Sequence, residues 1–360
     1  MFDYRERIRS LRVMLLDKEF DAFFTSFPPH LRYLLGFSGS TGACIVTDSK
    51  VFFLSDFRYK EQARSEVACS RSLITSGNLI EMAAEEGLLT GCRRVAIEKE
   101  HLPLFQFLEL RSNFPKARFI PTTEFVESFA AVKTEAELAL IRKAAMITDA
   151  AYADVLKMIK PGVTELDISA EISYLHKRLG AEKDSFEPIV VSGSRGSLPH
   201  GRPSSKKIKA GEMITVDMGC FYKGYCSDLT RTVVVGKPPS GAREVYRVVL
   251  DAQQKAIESA KDGVAAKDLD GVARKYIRSQ GYGKFFGHGL GHGIGLQIHE
   301  FPRVSAKSAH RLQSGNVITV EPGIYIPGKY GVRIEDDIVL RNGACEILTK
   351  APKMSSGFAS

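Results

Sequence analysis

The stretch Asp217-Met-Gly-Cys-Phe-Tyr-Lys-Gly-Tyr-Cys-Ser-Asp228 lies between two apolar runs, Met213-Ile-Thr-Val216 and Leu229-Thr-Arg-Thr-Val-Val-Val235. Runs rich in β-branched residues favour strands, and the midpoint of the two acids falls at Tyr222 and Lys223, beside Gly224, where a tight reversal is favourable. The stretch therefore predicts a β-hairpin in which Asp217 and Asp228 lie opposite each other, about 5 Å apart. Two carboxylates that close repel each other unless a cation lies between them.

A second pair of acids repeats this pattern. The segments Ile318-Thr-Val-Glu321 and Val332-Arg-Ile-Glu335 flank a stretch rich in Pro and Gly, and the midpoint of the two glutamates is Gly328. Between the two predicted hairpins lies Gly287-His-Gly-Leu-Gly-His-Gly-Ile-Gly295, where an extended chain would project His288 and His292 to one face. Four carboxylates and at least one imidazole suit two divalent ions such as Mn(II), with Co(II) and Zn(II) as alternatives.

This ordered set of acids and histidine resembles the metallopeptidases of the pita-bread fold, which include methionine aminopeptidase, aminopeptidase P and prolidase. The resemblance rests on Val-Asp-Met-Gly, Ser-Asp-Leu-Thr-Arg-Thr, Gly-His-Gly-Ile-Gly, Val-Glu-Pro-Gly and Arg-Ile-Glu-Asp, which occur in this order. It covers about residues 131–350, and a weaker resemblance to the family's amino-terminal domain covers most of the rest. It implies an α/β (α+β) fold, with a small α/β creatinase-like domain at 1–126, a pita-bread catalytic domain at 127–353 and a tail at 354–360.

The resemblance also implies a metal-binding role for five residues. Asp217 would hold one ion, His292 and Glu321 the other, and Asp228 and Glu335 would bridge the two. Glu321 is in addition the residue expected to move a proton from the attacking water to the leaving nitrogen.

Four more side chains are implied to belong to the site. His200, His288 and His299 match histidines that contact substrate and stabilise the tetrahedral intermediate in the proline-specific members. Arg333 would either contact substrate or hold the carboxylates in a salt bridge. No such motif surrounds the remaining histidines, which are expected to be ordinary structural residues: His30, His101, His176 and His310.

The amino-terminal part of the chain favours one activity within the family. Residues 32–42 and 56–63 are similar to the first domain of aminopeptidase P enzymes, so the expected activity is that of an Xaa-Pro aminopeptidase acting on peptides with proline in second position. The alternative is an Xaa-Pro dipeptidase (prolidase). A non-enzymatic peptide-binding module and a metal-free creatinase-like hydrolase rank lower, because both usually lose ligand carboxylates.

Composition indicates a two-domain globular protein. The chain has 360 residues, a net charge of +8 and 44% hydrophobic residues. Its Lys and Arg are dispersed, which argues against a nucleic-acid site, and no long apolar run predicts a membrane span. The six cysteines lack metal-ligand spacing and are expected to be reduced in a cytoplasmic protein, and the resemblance implies a homodimer.

Local patterns predict several elements. They place a helix at Tyr4–Lys18, a turn opened by Pro28-Pro29 and a crossing between domains at 115–127. Thr134 and Thr164 begin capping boxes, and the first of the two helices is expected to stop at Lys160-Pro161-Gly162.

Overall fold

The computed structural model describes residues 2–353. The chain forms two compact units, and the boundary between them in the sequence lies between Ala130 and Ala131. The sequence places this boundary four residues earlier, between residues 126 and 127. The predicted tail, 354–360, lies outside the described residues. Within the described part of the chain, no helix is long and apolar enough to cross a membrane.

The first unit is a six-stranded mixed sheet with helices. Its strands lie in the order β4-β3-β2-β1-β5-β6; β1 runs antiparallel to β2 and parallel to β5, and β6 is parallel to β5. The strands are β1 Ala22–Thr25, β2 Ala43–Thr47, β3 Val51–Asp56, β4 Arg71–Thr75, β5 Arg94–Glu98 and β6 Arg118–Thr122. The helices are α1 Tyr4–Asp17, α2 Pro28–Leu35, α3 Lys60–Glu66, α4 Leu79–Glu85, α5 Leu104–Asn113 and α6 Glu127–Ala130.

Two predictions for this unit are wrong. Pro28-Pro29 opens helix α2 rather than a turn, because proline fits the first turn of a helix, where its missing N–H would have no partner. The segment 115–127 is not simply a crossing, since it contains β6, the edge strand of the first sheet. The predicted helix at Tyr4–Lys18 is confirmed as α1.

The second unit contains four longer helices and several small antiparallel sheets. The helices are α7 Glu135–Leu156, α8 Glu165–Arg178, α9 Ala242–Ser259 and α10 Ala266–Ser279. The strands are β7 Lys183–Asp184, β8 Ile189–Ser192, β9 Met213–Met218, β10 Cys220–Tyr222, β11 Tyr225–Cys226, β12 Leu229–Val234, β13 Gly291–Gly293, β14 Glu300–Val304, β15 Val317–Val320, β16 Gly323–Ile326, β17 Tyr330–Arg333, β18 Asp336–Arg341 and β19 Ala344–Ile347. They pair as β12-β9-β8, β11-β10-β7, β14-β13-β15-β18-β19 and β16-β17.

Both predicted capping boxes are present at the starts of α7 and α8. The hydroxyl of Thr134 accepts from the backbone N–H of Glu137, whose carboxylate accepts from the backbone N–H of Thr134, and Thr164 and Asp167 form the same pair. Helix α7 ends at Leu156, before the predicted stop at 160–162. Its buried face, with Ala151, Tyr152 and Val155, packs with α8, β9 and β12 in one hydrophobic core.

The first acidic hairpin forms, but with a register different from the prediction. Its turn is Lys223-Gly224, both at positive φ, because a two-residue turn of this kind needs two such residues and Gly224 supplies one without strain. The centre of the turn is therefore one residue later than the midpoint of the acids. Asp217 pairs with Thr230, and Asp228 lies two residues before Thr230. The acids are thus diagonal neighbours rather than directly opposed.

The second acidic hairpin has the predicted register. Ile326 pairs with Tyr330 around Gly328, and further out Val320 pairs with Asp336. Glu321 and Glu335 occupy the next positions inward from that outer pair, so they face each other between the two ladders. The symmetric spacing about Gly328 was sufficient to set this pairing.

Candidate metal centre

Three of the predicted ligands come together in the second unit. Asp228, His292 and Glu335 each offer one ligand atom, and these atoms lie within 4.8 Å of one another. The Nε2 atom of His292 lies 3.8 Å from Asp228 Oδ2 and 3.5 Å from Glu321 Oε1. Side chains from four separate segments therefore converge on one buried cluster.

The ring of His292 is oriented by its own backbone. Its Nδ1 atom lies 3.1 Å from the carbonyl oxygen of Gly293, which can only accept a hydrogen bond. The ring proton therefore lies on Nδ1, and Nε2 presents its lone pair to the carboxylates, as a metal-ligating imidazole requires.

Asp217 stands beside this cluster in a salt bridge. Arg333 donates from Nη2 to Asp217 Oδ2 at 2.5 Å, and the guanidinium is buried. Of the two roles left open for Arg333, the structure therefore shows the salt bridge to a carboxylate. The other oxygen, Asp217 Oδ1, is buried with no hydrogen-bond partner among residues 2–353.

Two residues that the sequence did not single out hold the predicted ligands. Thr230 donates from Oγ1 to Glu335 Oε2 at 2.5 Å and accepts from Arg333 Nε at 3.1 Å. Asp337 accepts at Oδ2 from the backbone N–H of Asp228 at 2.8 Å. Thr230 lies inside the Ser-Asp-Leu-Thr-Arg-Thr motif, and Asp337 directly follows Glu335 and Asp336 in the sequence, so the sequence offered a signal for both residues.

Each carboxyl group of the cluster makes the ionisation of its neighbours less favourable. Burial, followed by the charges of Glu335 and Asp217, raises the pKa of Asp228 well above its usual range. Burial and the charges of Glu321 and Asp217 do the same to the pKa of Glu335. Burial, with Asp217 adding to it, raises the pKa of Glu321 to about 8, although Arg333 opposes this. These groups need a compensating cation to remain ionised together.

The donor set fits divalent metal ions. Besides Asp217 Oδ1, the oxygen Asp228 Oδ1 is buried without a hydrogen-bond partner in the part of the chain described. Burial, then the charge of His299, lowers the pKa of His292 to about 3, so its ring is neutral and able to ligate. Buried unpaired oxygens, clustered anions and a neutral imidazole form a set that hard or borderline divalent ions prefer.

His288 belongs to a hydrogen-bonded chain that reaches Asp217. Arg333 Nη1 donates to the hydroxyl of Tyr325 at 2.9 Å, so this hydroxyl donates in turn to His288 Nε2 at 3.0 Å. His288 Nδ1 donates to the carbonyl of Gly289 at 2.8 Å. Burial, then the charge of Arg333, lowers the pKa of His288 to about 4. Tyr325 was missed by the sequence analysis, and a substrate contact by His288 stays a prediction.

The other two predicted histidines are His299 and His200. The ring of His299 meets the ring of His292 edge-on, with centroids 4.4 Å apart. Burial, followed by the charges of Arg303 and His200, lowers the pKa of His299. His200 is exposed, and its charge also contributes to the lowered pKa of His288. Of these two histidines, His299 thus contacts a predicted ligand directly, and a substrate contact by either of them stays a prediction.

Two family profiles together cover most of the chain. Residues 139–342 match metallopeptidase family M24, and residues 7–132 match the creatinase/prolidase N-terminal domain. The M24 match spans all five predicted ligands.

Individual relatives match along nearly the full length. The Xaa-Pro dipeptidase of Pyrococcus horikoshii is 37% identical over 350 residues, covering 97% of this chain and 98% of the relative. Among solved structures, an Xaa-Pro dipeptidase from Bacillus anthracis is 38% identical with a TM-score of 0.95, covering 98% of this chain and 99% of that one. An X-Pro aminopeptidase from Thermotoga maritima is also 38% identical, with a TM-score of 0.87, covering 93% of this chain and 97% of that one.

Proposed function

The chain belongs to metallopeptidase family M24, and on that premise we propose that it is a metal-dependent Xaa-Pro dipeptidase. The observation that carries the proposal is the convergence of Asp228, His292 and Glu335 beside Asp217 and Glu321. This set occurs in a chain similar over its whole length to Xaa-Pro dipeptidases. The substrate would be a dipeptide with proline in second position.

The five predicted ligands would hold two divalent ions. Bound there, the ions would polarise the scissile carbonyl and lower the pKa of the attacking water. Asp217 would be kept in place by Arg333, and Glu335 by Thr230. Mn(II) as the ion, a homodimer as the assembly and the cytoplasm as the location stay predictions.

Glu321 would move the proton that the reaction requires. The nitrogen of an Xaa-Pro bond carries no hydrogen, so it must receive a proton before it can leave as an amine. Glu321 Oε1 lies 3.5 Å from His292 Nε2, at the edge of the cluster, and would take a proton from the attacking water and return it to that nitrogen. His200, His288 and His299 would face the substrate from the solvent side.

The dipeptidase activity replaces the aminopeptidase activity that the sequence favoured. The first-domain segments behind that expectation have local structural roles: Ser38 bonds to Glu66, Ser40 to Tyr59, and Asp56 caps the short helical turn that follows it. Such contacts explain the segments without reference to a substrate. The aminopeptidase remains the second candidate, supported by the likeness to the Thermotoga maritima protein.

A comparison of substrate lengths tests the proposal. Metal-loaded protein should hydrolyse Xaa-Pro dipeptides with a higher kcat/KM than Xaa-Pro-Yaa tripeptides of matched sequence, while Xaa-Ala dipeptides should react poorly. Glu321→Gln is the matched inactive control. Equal or faster cleavage of the tripeptides would favour the aminopeptidase, and absence of cleavage of any proline peptide would refute both.

A further inference from the structure

A second group of potential metal ligands lies in the first unit. His30, His101 and Glu127 each offer one ligand atom, and these atoms lie within 4.8 Å of one another. His101 Nε2 lies 3.0 Å and His30 Nε2 3.8 Å from Glu127 Oε1. Four-coordinate Zn(II), with bonds of about 2.0–2.1 Å, separates its ligand atoms by roughly 3.3–3.5 Å. The two distances bracket that separation.

The topology of the sheet brings these residues together. Helix α2, which carries His30, follows β1; His101 follows β5; and Glu127 begins α6, after β6. Strands β1, β5 and β6 are adjacent and parallel, so their carboxyl ends meet at one edge of the sheet. This edge is where open α/β sheets commonly bind ligands.

The ring of His30 is held by a carboxylate in the manner of a metal ligand. Its Nδ1 atom donates to Glu98, which also accepts from the hydroxyl of Thr25. Glu98 is the last residue of β5 and is almost fully buried. A carboxylate that binds one imidazole nitrogen fixes the tautomer and directs the other nitrogen towards a metal.

The second imidazole is oriented by an aromatic ring. Phe27 stacks on His101 with centroids 3.7 Å apart and an angle of 2° between the planes, and it meets His30 edge-on at 5.0 Å. Among the residues described, Glu127 Oε2 is buried with no hydrogen-bond partner. The side chain of His101 is 21% exposed, so solvent reaches the cluster from that side. Two fixed imidazoles and a carboxylate with an unused oxygen therefore offer three protein ligands, and solvent can supply the fourth that a zinc ion needs.

We propose that His30, His101 and Glu127 bind one Zn(II) ion, with Glu98 as the residue that orients His30. None of these residues is a predicted M24 ligand, and the proposal does not depend on the proposed peptidase activity. Two imidazoles and one carboxylate form a zinc ligand set. On binding, His101 ligates the ion through Nε2 and carries its ring proton on Nδ1 instead, and the ion ties α2 and α6 to the edge of the sheet.

Counting bound metal tests this site in the full-length chain. Asp228→Asn combined with Glu335→Gln weakens the M24 centre and serves as the background. After removal of metal with a chelator and incubation with Zn(II), this background should retain about one Zn(II) per chain by mass spectrometry. Adding His101→Gln should abolish that retention, although glutamine can still donate a hydrogen bond to Glu127. Adding Lys99→Gln, an exposed neighbour, should leave it unchanged.

Further measurements show whether the loss of Zn(II) comes from loss of the ligand or from unfolding of the variant. Circular dichroism should show that the His101→Gln protein is folded, and Glu127→Gln, which keeps the shape of the side chain, should lose Zn(II) in the same way. Zn(II) should raise the Tm of the background protein but not that of either variant. Equal Zn(II) retention with and without His101→Gln, or retention of none by the background, would overturn the proposal and leave a hydrogen-bonded cluster only.

Discussion

Arg333 and Asp217 form a buried salt bridge in the wall of the candidate metal centre, with Nη2 and Oδ2 2.5 Å apart. The same guanidinium donates to Tyr325, Thr230 and the carbonyl of Pro199. Burial alone would lower the pKa of Arg333, but the charges of Asp217 and Glu321 raise it, so the group stays charged. One cation therefore offsets part of the acidic charge and fixes the direction of Asp217.

Arg333→Gln should destabilise the metal-free protein strongly. Removing one partner of a buried ion pair leaves the other charge uncompensated and costs about 3–5 kcal/mol. Bound divalent ions would compensate the charge of Asp217 instead. The free energy of unfolding should therefore differ less between variant and parent in the metal-loaded form. Urea unfolding with and without metal measures both values.

The control for this prediction is Arg341→Gln. Arg341 forms partly exposed ion pairs with Glu135 and Glu346, and such pairs contribute less than about 1 kcal/mol. If Arg333→Gln were equally destabilising with and without metal, Asp217 would not be a metal ligand.

Glu335→Gln should lower metal content as well as activity. The substitution keeps the size of the side chain and a hydrogen-bond acceptor for Thr230, but it removes one negative charge from the cluster. Loss of residues that merely support ligands weakens metal affinity about 10–100-fold, so loss of a bridging ligand should do at least as much. Metal titration with detection by mass spectrometry gives the affinity.

Glu346→Gln serves as the matched control because Glu346 lies in β19, which pairs with β18, the strand that follows Glu335, and it bonds to Arg142 at the surface. Its metal content should equal that of the parent protein. Full metal occupancy in Glu335→Gln at limiting metal would contradict the bridging role.

The sequence predicted those parts of the site whose geometry follows from local symmetry. Gly328 lies midway between Glu321 and Glu335, and the hairpin turns there. The first hairpin differs by one residue because Gly224, rather than the midpoint of the acids, decides where two positive φ values are tolerated. The residues of the turn, and not the spacing of the two acids, therefore set the register of this hairpin.

Contacts between segments far apart in the chain could not be derived from the spacing of residues in the sequence. Tyr325 and His288 are 37 residues apart, and the bond of Asp337 to the backbone of Asp228 spans 109 residues. A single sequence shows the polar character of these positions but not which of them meet. The cluster of His30 with His101 and Glu127 was missed for the same reason, because its members follow three different strands.

Tyr325→Phe should reduce kcat/KM while leaving metal content unchanged. The substitution removes only the hydroxyl that links Arg333 to His288, and hydrogen bonds to charged groups contribute about 1.5–3 kcal/mol. A loss of roughly ten- to a hundredfold in kcat/KM is expected, measured on an Xaa-Pro dipeptide. Tyr330→Phe, in the same hairpin, removes a long hydrogen bond of 3.4 Å to Ser240 and should have little effect. Loss of metal in Tyr325→Phe would show that the hydroxyl supports the ligands instead.

Asp184→Asn should destabilise the second unit at neutral pH but not in acid. Asp184 accepts from His176 Nδ1 at 2.7 Å and from Ser173 Oγ at 2.5 Å; burial opposes its ionisation, but these bonds lower its pKa below 3.8 overall. A carboxyl whose folded pKa is depressed stabilises the protein above its unfolded pKa, and this contribution is lost as pH falls through the folded value. Urea unfolding should therefore show that the variant has a free energy of unfolding about 1.5–3 kcal/mol lower than the parent at pH 7. This difference should become smaller below about pH 4. Glu258→Gln, an exposed carboxylate on α9, should change little at either pH. A difference that stayed constant into acid would mean that the charge of Asp184 is not what stabilises this contact.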